Sequence, residues 1–153
     1  MQRSRPILSL IIAIGAVAGC ATGGSTATGV PRIASQVDMP LRAADSGSHG
    51  ASWTFHTAGI RGAVQASGTW NISAEVRHSR LRCATYETGI RLGKGNAACD
   101  KVDWLNDVQY GTKMMQCNGA TLIHSGGGRL SLPPSSIGTA NCVGVVVRCN
   151  GAC

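Results

Sequence analysis

Strict alternation of apolar and polar residues from Thr69 to Arg77 is the feature that most constrains the fold of this chain. Its apolar members occupy every second position, which is typical of a β-strand with one buried face. The same alternation covers Trp53 to Thr57, and Ala84 to Leu92 place their apolar members on one face before a turn at 93–96. Shorter strands separated by Gly-rich or Pro-Pro breaks are predicted at 113–117, 121–124 and 129–132.

The segment from Cys142 to Cys149 is apolar at successive positions, which predicts a central strand covered on both faces. Several short strands at regular spacing indicate a sandwich or a barrel. The only helix-like pattern lies at 100–108, where Val102, Leu105 and Val108 recur every third residue after Asp100. The sequence therefore predicts an all-β, disulfide-stapled antiparallel sandwich or barrel, with at most one short helical turn near 100–108.

All aromatic residues of the chain lie after position 52, so the hydrophobic core is expected within residues 51–153. Residues 20–50 contain no aromatic and are dense in Gly, Ser, Thr and Ala. Such a composition buries too little surface to offset the chain entropy lost on ordering. We expect a flexible tether at 20–50; the alternative is that Val30 to Leu41 docks as an edge strand.

The N-terminus has the pattern of an export signal. Arg3 and Arg5 precede an apolar run from Ile7 to Gly19, as in the basic and apolar regions of a signal peptide. A transmembrane helix needs about 20 apolar residues, and this run is shorter. Residues 1–19 are therefore expected to be removed from the exported protein.

Two cleavage patterns overlap at the end of this run. Ala16-Val17-Ala18 fits the small-x-small rule of the ordinary signal peptidase. Val17-Ala18-Gly19-Cys20 resembles the lipobox of bacterial lipoproteins, and this resemblance covers only these residues and the signal before them. It implies a lipid on Cys20, palmitate included, and Ala21 after it implies the outer membrane, facing the periplasm or the surface, in a Gram-negative host. Beyond the lipobox, no motif of a known family is evident.

Cysteine parity agrees with this interpretation. The chain has 7 cysteines, an awkward number for an exported protein whose thiols pair. If Cys20 carries lipid, an even set remains for three disulfides, in a connectivity that the sequence does not fix: Cys83, Cys99, Cys117, Cys142, Cys149 and Cys153. No pair has the C-x₂-C spacing of many zinc sites, so disulfides are the favoured use of these cysteines.

The other chemistry-bearing residues form no recognisable catalytic set. His49, His56, His78 and His124 are scattered along the chain, and no G-x-S-x-G motif is present. Glu75 and Glu87 occupy polar strand positions beside arginines, which favours solvated ion pairs. We expect no metal, no cofactor and no catalytic residues.

Charge points to an anionic partner. The chain carries 14 Lys+Arg against 7 Asp+Glu, a net charge of +7. Arg77, Arg80 and Arg82 concentrate part of it between two predicted strands, where they could contact an anionic envelope component. The sequence therefore predicts a lipid-anchored, non-catalytic structural or partner-binding envelope module. Its expected partner is a protein, a glycan or an anionic lipid rather than nucleic acid. The alternative is an envelope hydrolase, or an inhibitor of a host or competitor enzyme.

Overall fold

The computed structural model describes residues 31–44, 51–77, 83–117, 121–151 and 153. These residues form two antiparallel sheets of five strands each. Sheet A consists of β1 (Arg32–Pro40), β10 (Cys142–Gly151), β6 (Ala84–Gly95), β7 (Val102–Trp104) and β8 (Gln109–Gln116). Sheet B consists of β2 (Arg42–Ala43), β3 (Ser52–Thr57), β4 (Ile60–Gln65), β5 (Thr69–Arg77) and β9 (Thr121–Arg129). The predicted fold class is confirmed.

The core lies between the two sheets. Sheet B contributes the apolar half of its alternating strands, including Phe55 and Trp70, which are 1% and 2% exposed. Sheet A contributes Ile90 and Leu92 of β6 together with valines of β10. The period of two read from the sequence thus determines which face of each strand is buried.

The sheets also approach each other at both sides. On one side β1 ends at Pro40 in sheet A, and after a single residue β2 begins sheet B. On the other side β8 lies against β9, where a Cβ atom at Gly111 would overlap the backbone oxygen of Gly127. Glycine is therefore required at this approach, because any side chain would separate the two strands.

Strand β10 is the central strand that the sequence predicts. It lies between β1 and β6, and Val143 to Val147 are almost fully buried. Its outer face is covered by the segment that follows β7. Tyr110 and Val108 lie against Gly89, the register partner of Val146.

Two stacked arginines complete this outer layer on sheet A. Arg91 lies 3.8 Å from the ring centre of Trp104, and Arg148 lies 3.6 Å from that of Tyr110. Arg148 also donates two hydrogen bonds to Glu87 Oε2, at 2.8 and 2.6 Å. Cation–π contact and a part-buried ion pair thus fix the layer over β10.

Three sequence predictions are wrong in position. The Gly-rich break predicted between strands at 121–124 and 129–132 lies within the single strand β9 (Thr121–Arg129). The other two have a physical explanation in the packing. The first is the helical turn at 100–108, because Val102–Trp104 form strand β7 and pair with Gly93–Gly95. Gly93 has no side chain, so Val102 and Trp104 pack directly over it. The short helix, α1, lies instead at Pro134–Thr139, where a proline with a helix-compatible φ occupies the first turn.

The second correction concerns the tether. Arg32–Pro40 form an edge strand paired with β10, as in the alternative in which Val30 to Leu41 docks on the domain. The domain therefore begins before residue 51. The reason is Met39, which is 4% exposed, and Val37, which packs against the same core. Residues 20–30 and 45–50 lie outside the described residues. Within the described ranges, no helix has the length and apolar character needed to cross a bilayer.

Candidate functional site

The cysteines predicted to pair form three disulfides: Cys83–Cys117, Cys99–Cys142 and Cys149–Cys153. This confirms the prediction of three bridges and supplies the connectivity. Among the described residues, no group of three His, Cys, Asp or Glu side chains is arranged to hold a metal ion.

The other predicted site residues lie largely outside the described part. Cys20 precedes it, and Arg80 and Arg82 fall in the gap between 77 and 83. Arg77 is the last residue of β5 and pairs in register with Thr121 of β9; its side chain is not described. Their proposed role in contacting an anionic surface stays a prediction.

The outer face of sheet B brings together polar residues that are far apart in sequence. Strand pairing places one residue from each of four strands in a row: His56, Arg61, Ser73 and Ser125. A second row, two residues along the strands, contains Thr54, Ala63, Asn71 and Gly127. Neighbouring strands are about 4.8 Å apart, so each row extends roughly 14 Å across the sheet.

A shallow groove runs between these rows. Side chains from both rows form the walls of the groove, and the backbone of Gly62 and Gly126 forms part of its floor. Gly62 has no side chain because a Cβ atom there would overlap the Phe55 ring beneath it. We call this feature the sheet B groove, and define it by His56, Arg61, Asn71, Ser73 and Ser125.

The sheet B groove lies on a positively charged face. Arg42, Arg61 and Arg129 are exposed there, and Glu75 is the one carboxylate placed on this face among the described side chains. The two ion pairs found in the described part, Arg91–Asp38 and Arg148–Glu87, are both on sheet A. The cations of sheet B are thus available to a ligand.

The sequence suggested this groove only in part. His56, Asn71 and Ser73 occupy polar positions of alternating strands, which is enough to predict that these side chains face outward. Arg61 lies in a strand that the sequence pattern does not predict, and β9 reverses the usual alternation, because Ile123 is exposed and His124 is buried. His56 is separated from Ser125 by much of the chain, however, and only the order of strands β3-β4-β5-β9 places both in one row. From the sequence alone, His56 is therefore indistinguishable from a scattered surface histidine.

A second polar pair lies inside the protein. His124 of β9 is 1% exposed and its Nδ1 shares a hydrogen bond with the hydroxyl of Thr88, which is 0% exposed, on β6. The bond joins the two sheets through the core. The cavity beside the ring has a volume of about 10 Å³, space for no more than one water molecule. This histidine is therefore structural.

The stability of the protein is expected to fall as the pH drops below the ordinary pKa of histidine. Burial lowers the pKa of His124, and the backbone of Thr112 opposes that shift to a smaller extent. The unfolded chain then binds a proton that the folded protein resists, so stability present above about pH 6.5 is lost as the pH falls through the folded pKa.

Urea unfolding at a series of pH values from 7.5 to 5 measures this effect. Replacing His124 by Gln, which keeps a polar group near Thr88, should flatten the pH dependence over this interval. His56→Gln, a change at an exposed histidine, is the matched control and should leave the dependence as it is. Equal slopes for the parent and His124→Gln would contradict the assignment.

Comparisons of the chain with protein-family models, with curated proteins and with solved structures found no match.

Proposed function

We propose that the protein is a non-catalytic binding module of the cell envelope, anchored by a lipid on Cys20. The observation that carries the binding role is the sheet B groove. It combines unpaired cations with hydrogen-bonding side chains on one accessible face. Fixed charges and polar groups that have no partner within the described residues are suited to hold an anionic, hydrophilic component of the envelope.

The geometry of the groove favours binding over catalysis. Ser73 is the nearest hydroxyl of the row to His56, and strand β4 lies between them. Two strand spacings place their backbones about 10 Å apart, and no hydrogen bond joins their side chains, whereas a general base acts within hydrogen-bond reach, about 3 Å between heavy atoms, of the group that it deprotonates. His124 is the other histidine whose side chain is described, and it is enclosed in the core with Thr88.

The lipid anchor follows from the lipobox resemblance at Val17 to Cys20. A single acyl chain binds a bilayer only marginally, whereas two or three bind it firmly. The residue after the cysteine, Ala21, supports placement at the outer membrane of a Gram-negative host.

Replacement of Cys20 by serine is expected to abolish labelling by a palmitate analogue and to move the protein from the membrane fraction to the soluble fraction. The reason is that the thioether to the lipid requires the cysteine sulfur. The double variant Cys149→Ala/Cys153→Ala, which changes cysteines of the domain, should keep the label. A parent protein without label, or a labelled Cys20→Ser, would contradict the anchor.

The binding role has its own experiment. A photo-crosslinking side chain at Ser73, within the sheet B groove, should form adducts in intact envelopes. The same side chain at Lys101, an exposed residue before β7 on the other sheet, should not. Equal adducts at both positions would contradict a binding role for the groove, and turnover of an envelope ester or glycan would favour the hydrolase alternative.

A further inference from the structure

We infer that the ligand of the sheet B groove is a linear glycan bearing carboxylate groups, bound across the strands. This inference rests on the proposed binding role of the groove and adds the chemical class of the ligand. Three properties of the groove lead to it: its hydrogen-bonding groups, its floor and its charge.

The hydrogen-bonding groups are those that recognise sugar hydroxyls. Ser73 and Ser125 present hydroxyls, and Asn71 presents an amide that both donates and accepts. None of these side chains has a hydrogen bond to another described residue, and all face outward from the sheet. A ligand rich in hydroxyls can replace their water molecules with hydrogen bonds of the same kind.

The floor of the groove is flat and bears small residues. Gly62 and Ala63 of β4 and Gly126 of β9, on either side of β5, leave the backbone open to close approach. Of the large apolar residues nearby, Phe55 and Ile72 are 1% and 3% exposed and belong to the core, whereas Ile123, which is 62% exposed, lies on the same face outside the groove. The groove therefore offers neither the aromatic anchors of a protein interface nor the apolar wedge that inserts into a bilayer.

The positive charge of the groove indicates that the glycan carries carboxylate groups. Arg61 and His56 are adjacent at one end of the row, and neither has an anionic partner among the described residues. A guanidinium matches a carboxylate through two parallel hydrogen bonds. The row then continues over Ser73 and Ser125 with a new side chain about every 4.8 Å, close to the length of one sugar ring, so a polymer lying across the strands meets one side chain per ring.

The test uses the full-length lipoprotein in detergent with polygalacturonate as the probe and neutral dextran as its uncharged counterpart. Polygalacturonate should bind and dextran should bind much more weakly. Ser73→Glu places a carboxylate in the groove and should weaken polygalacturonate binding by at least about tenfold, which corresponds to about 1.4 kcal/mol. Thr69→Glu adds the same charge to the same face of β5, outside the groove, and should weaken it by less than about threefold, or about 0.7 kcal/mol.

Arg61→Gln gives an independent measurement, because it removes a cation from an exposed side chain without adding bulk. It should also weaken polygalacturonate binding by about tenfold or more. Equal binding by the parent, Ser73→Glu and Arg61→Gln, or no binding of polygalacturonate, would overturn the inference.

Vesicles of phosphatidylglycerol separate this inference from the proposed function. Binding to such vesicles that Ser73→Glu abolishes, without binding to polygalacturonate, would keep a binding module and reject the glycan. Absence of binding to either probe, together with absence of groove adducts in intact envelopes, would reject both.

Discussion

Replacing Cys99 and Cys142 together by alanine is expected to lower the free energy of unfolding by about 4 kcal/mol. The two residues are 43 apart in sequence, and a bridge across such a loop removes a large share of the entropy of the unfolded chain. Both cysteines are buried, at 2% and 0% exposure. Since small domains have only about 5–15 kcal/mol of stability, this loss is a large fraction of the total.

The Cys99–Cys142 bridge also closes one end of the sandwich. Asn141, next to Cys142, donates a hydrogen bond to the backbone oxygen of Gly95 and accepts one from its N–H, both at 2.8 Å. These bonds hold the turn after β6 against the start of β10, and Cys99 within that turn has a left-handed φ of 56°. Without the disulfide, this turn is held by hydrogen bonds alone.

Chemical denaturation of the parent and the double variant measures the loss. The control removes Cys149–Cys153, which spans a sequence separation of 4 and should therefore stabilise by only about 2 kcal/mol. Equal losses for the two double variants would contradict the loop-length argument.

Trp70→Ala is expected to lower the free energy of unfolding by about 3–5 kcal/mol. The indole is 2% exposed at the centre of the core. It packs against Gly128 of its partner strand β9 and against Gly111 of β8. Because Gly128 and Gly111 lie against the ring, these two strands offer no side chain there that could move into the cavity that the substitution creates.

Trp104→Ala is the matched control for the effect of burial. This residue is half-buried and lies on the outer layer of sheet A beside Arg91, so its removal should cost about 1–2 kcal/mol. Thermal and urea unfolding of both variants give the comparison. A loss for Trp104→Ala equal to that for Trp70→Ala would show that the core is not organised around Trp70.

The parts of the fold that could be predicted from sequence are those decided by neighbouring residues. Strand β5 was predicted at Thr69–Arg77 and has those bounds, because its alternation is local and uninterrupted. The helical turn predicted at 100–108 is wrong, because the spacing of Val102, Leu105 and Val108 fits a helix as well as a strand. In the structure this segment pairs with Gly93–Gly95 and packs closely over both glycines, and these contacts across the sheet are not contained in the local pattern.

The site was less accessible to prediction, for a reason of topology. Ser73 could be identified as an outward-facing residue from the alternation of Thr69–Arg77, whereas the strand that carries Arg61 could not be predicted. These two residues are neighbours because β4 pairs with β5. Ser125 lies beside Ser73 because β9 pairs with the other edge of β5. The latter pairing is set by contacts distant in sequence, which a pattern within one strand does not contain.

The pairing of β1 with β10 has a kinetic consequence. Arg32 lies opposite Cys149, so the first and last strands of the described chain become neighbours only when nearly all of it is available. Domains dominated by such distant contacts fold in roughly milliseconds to seconds, more slowly than helical bundles. Until β1 and β6 cover its two edges, the valine-rich strand β10 is exposed and able to pair with other chains. A chain of this topology is therefore most exposed to aggregation while its last strand is still unpaired.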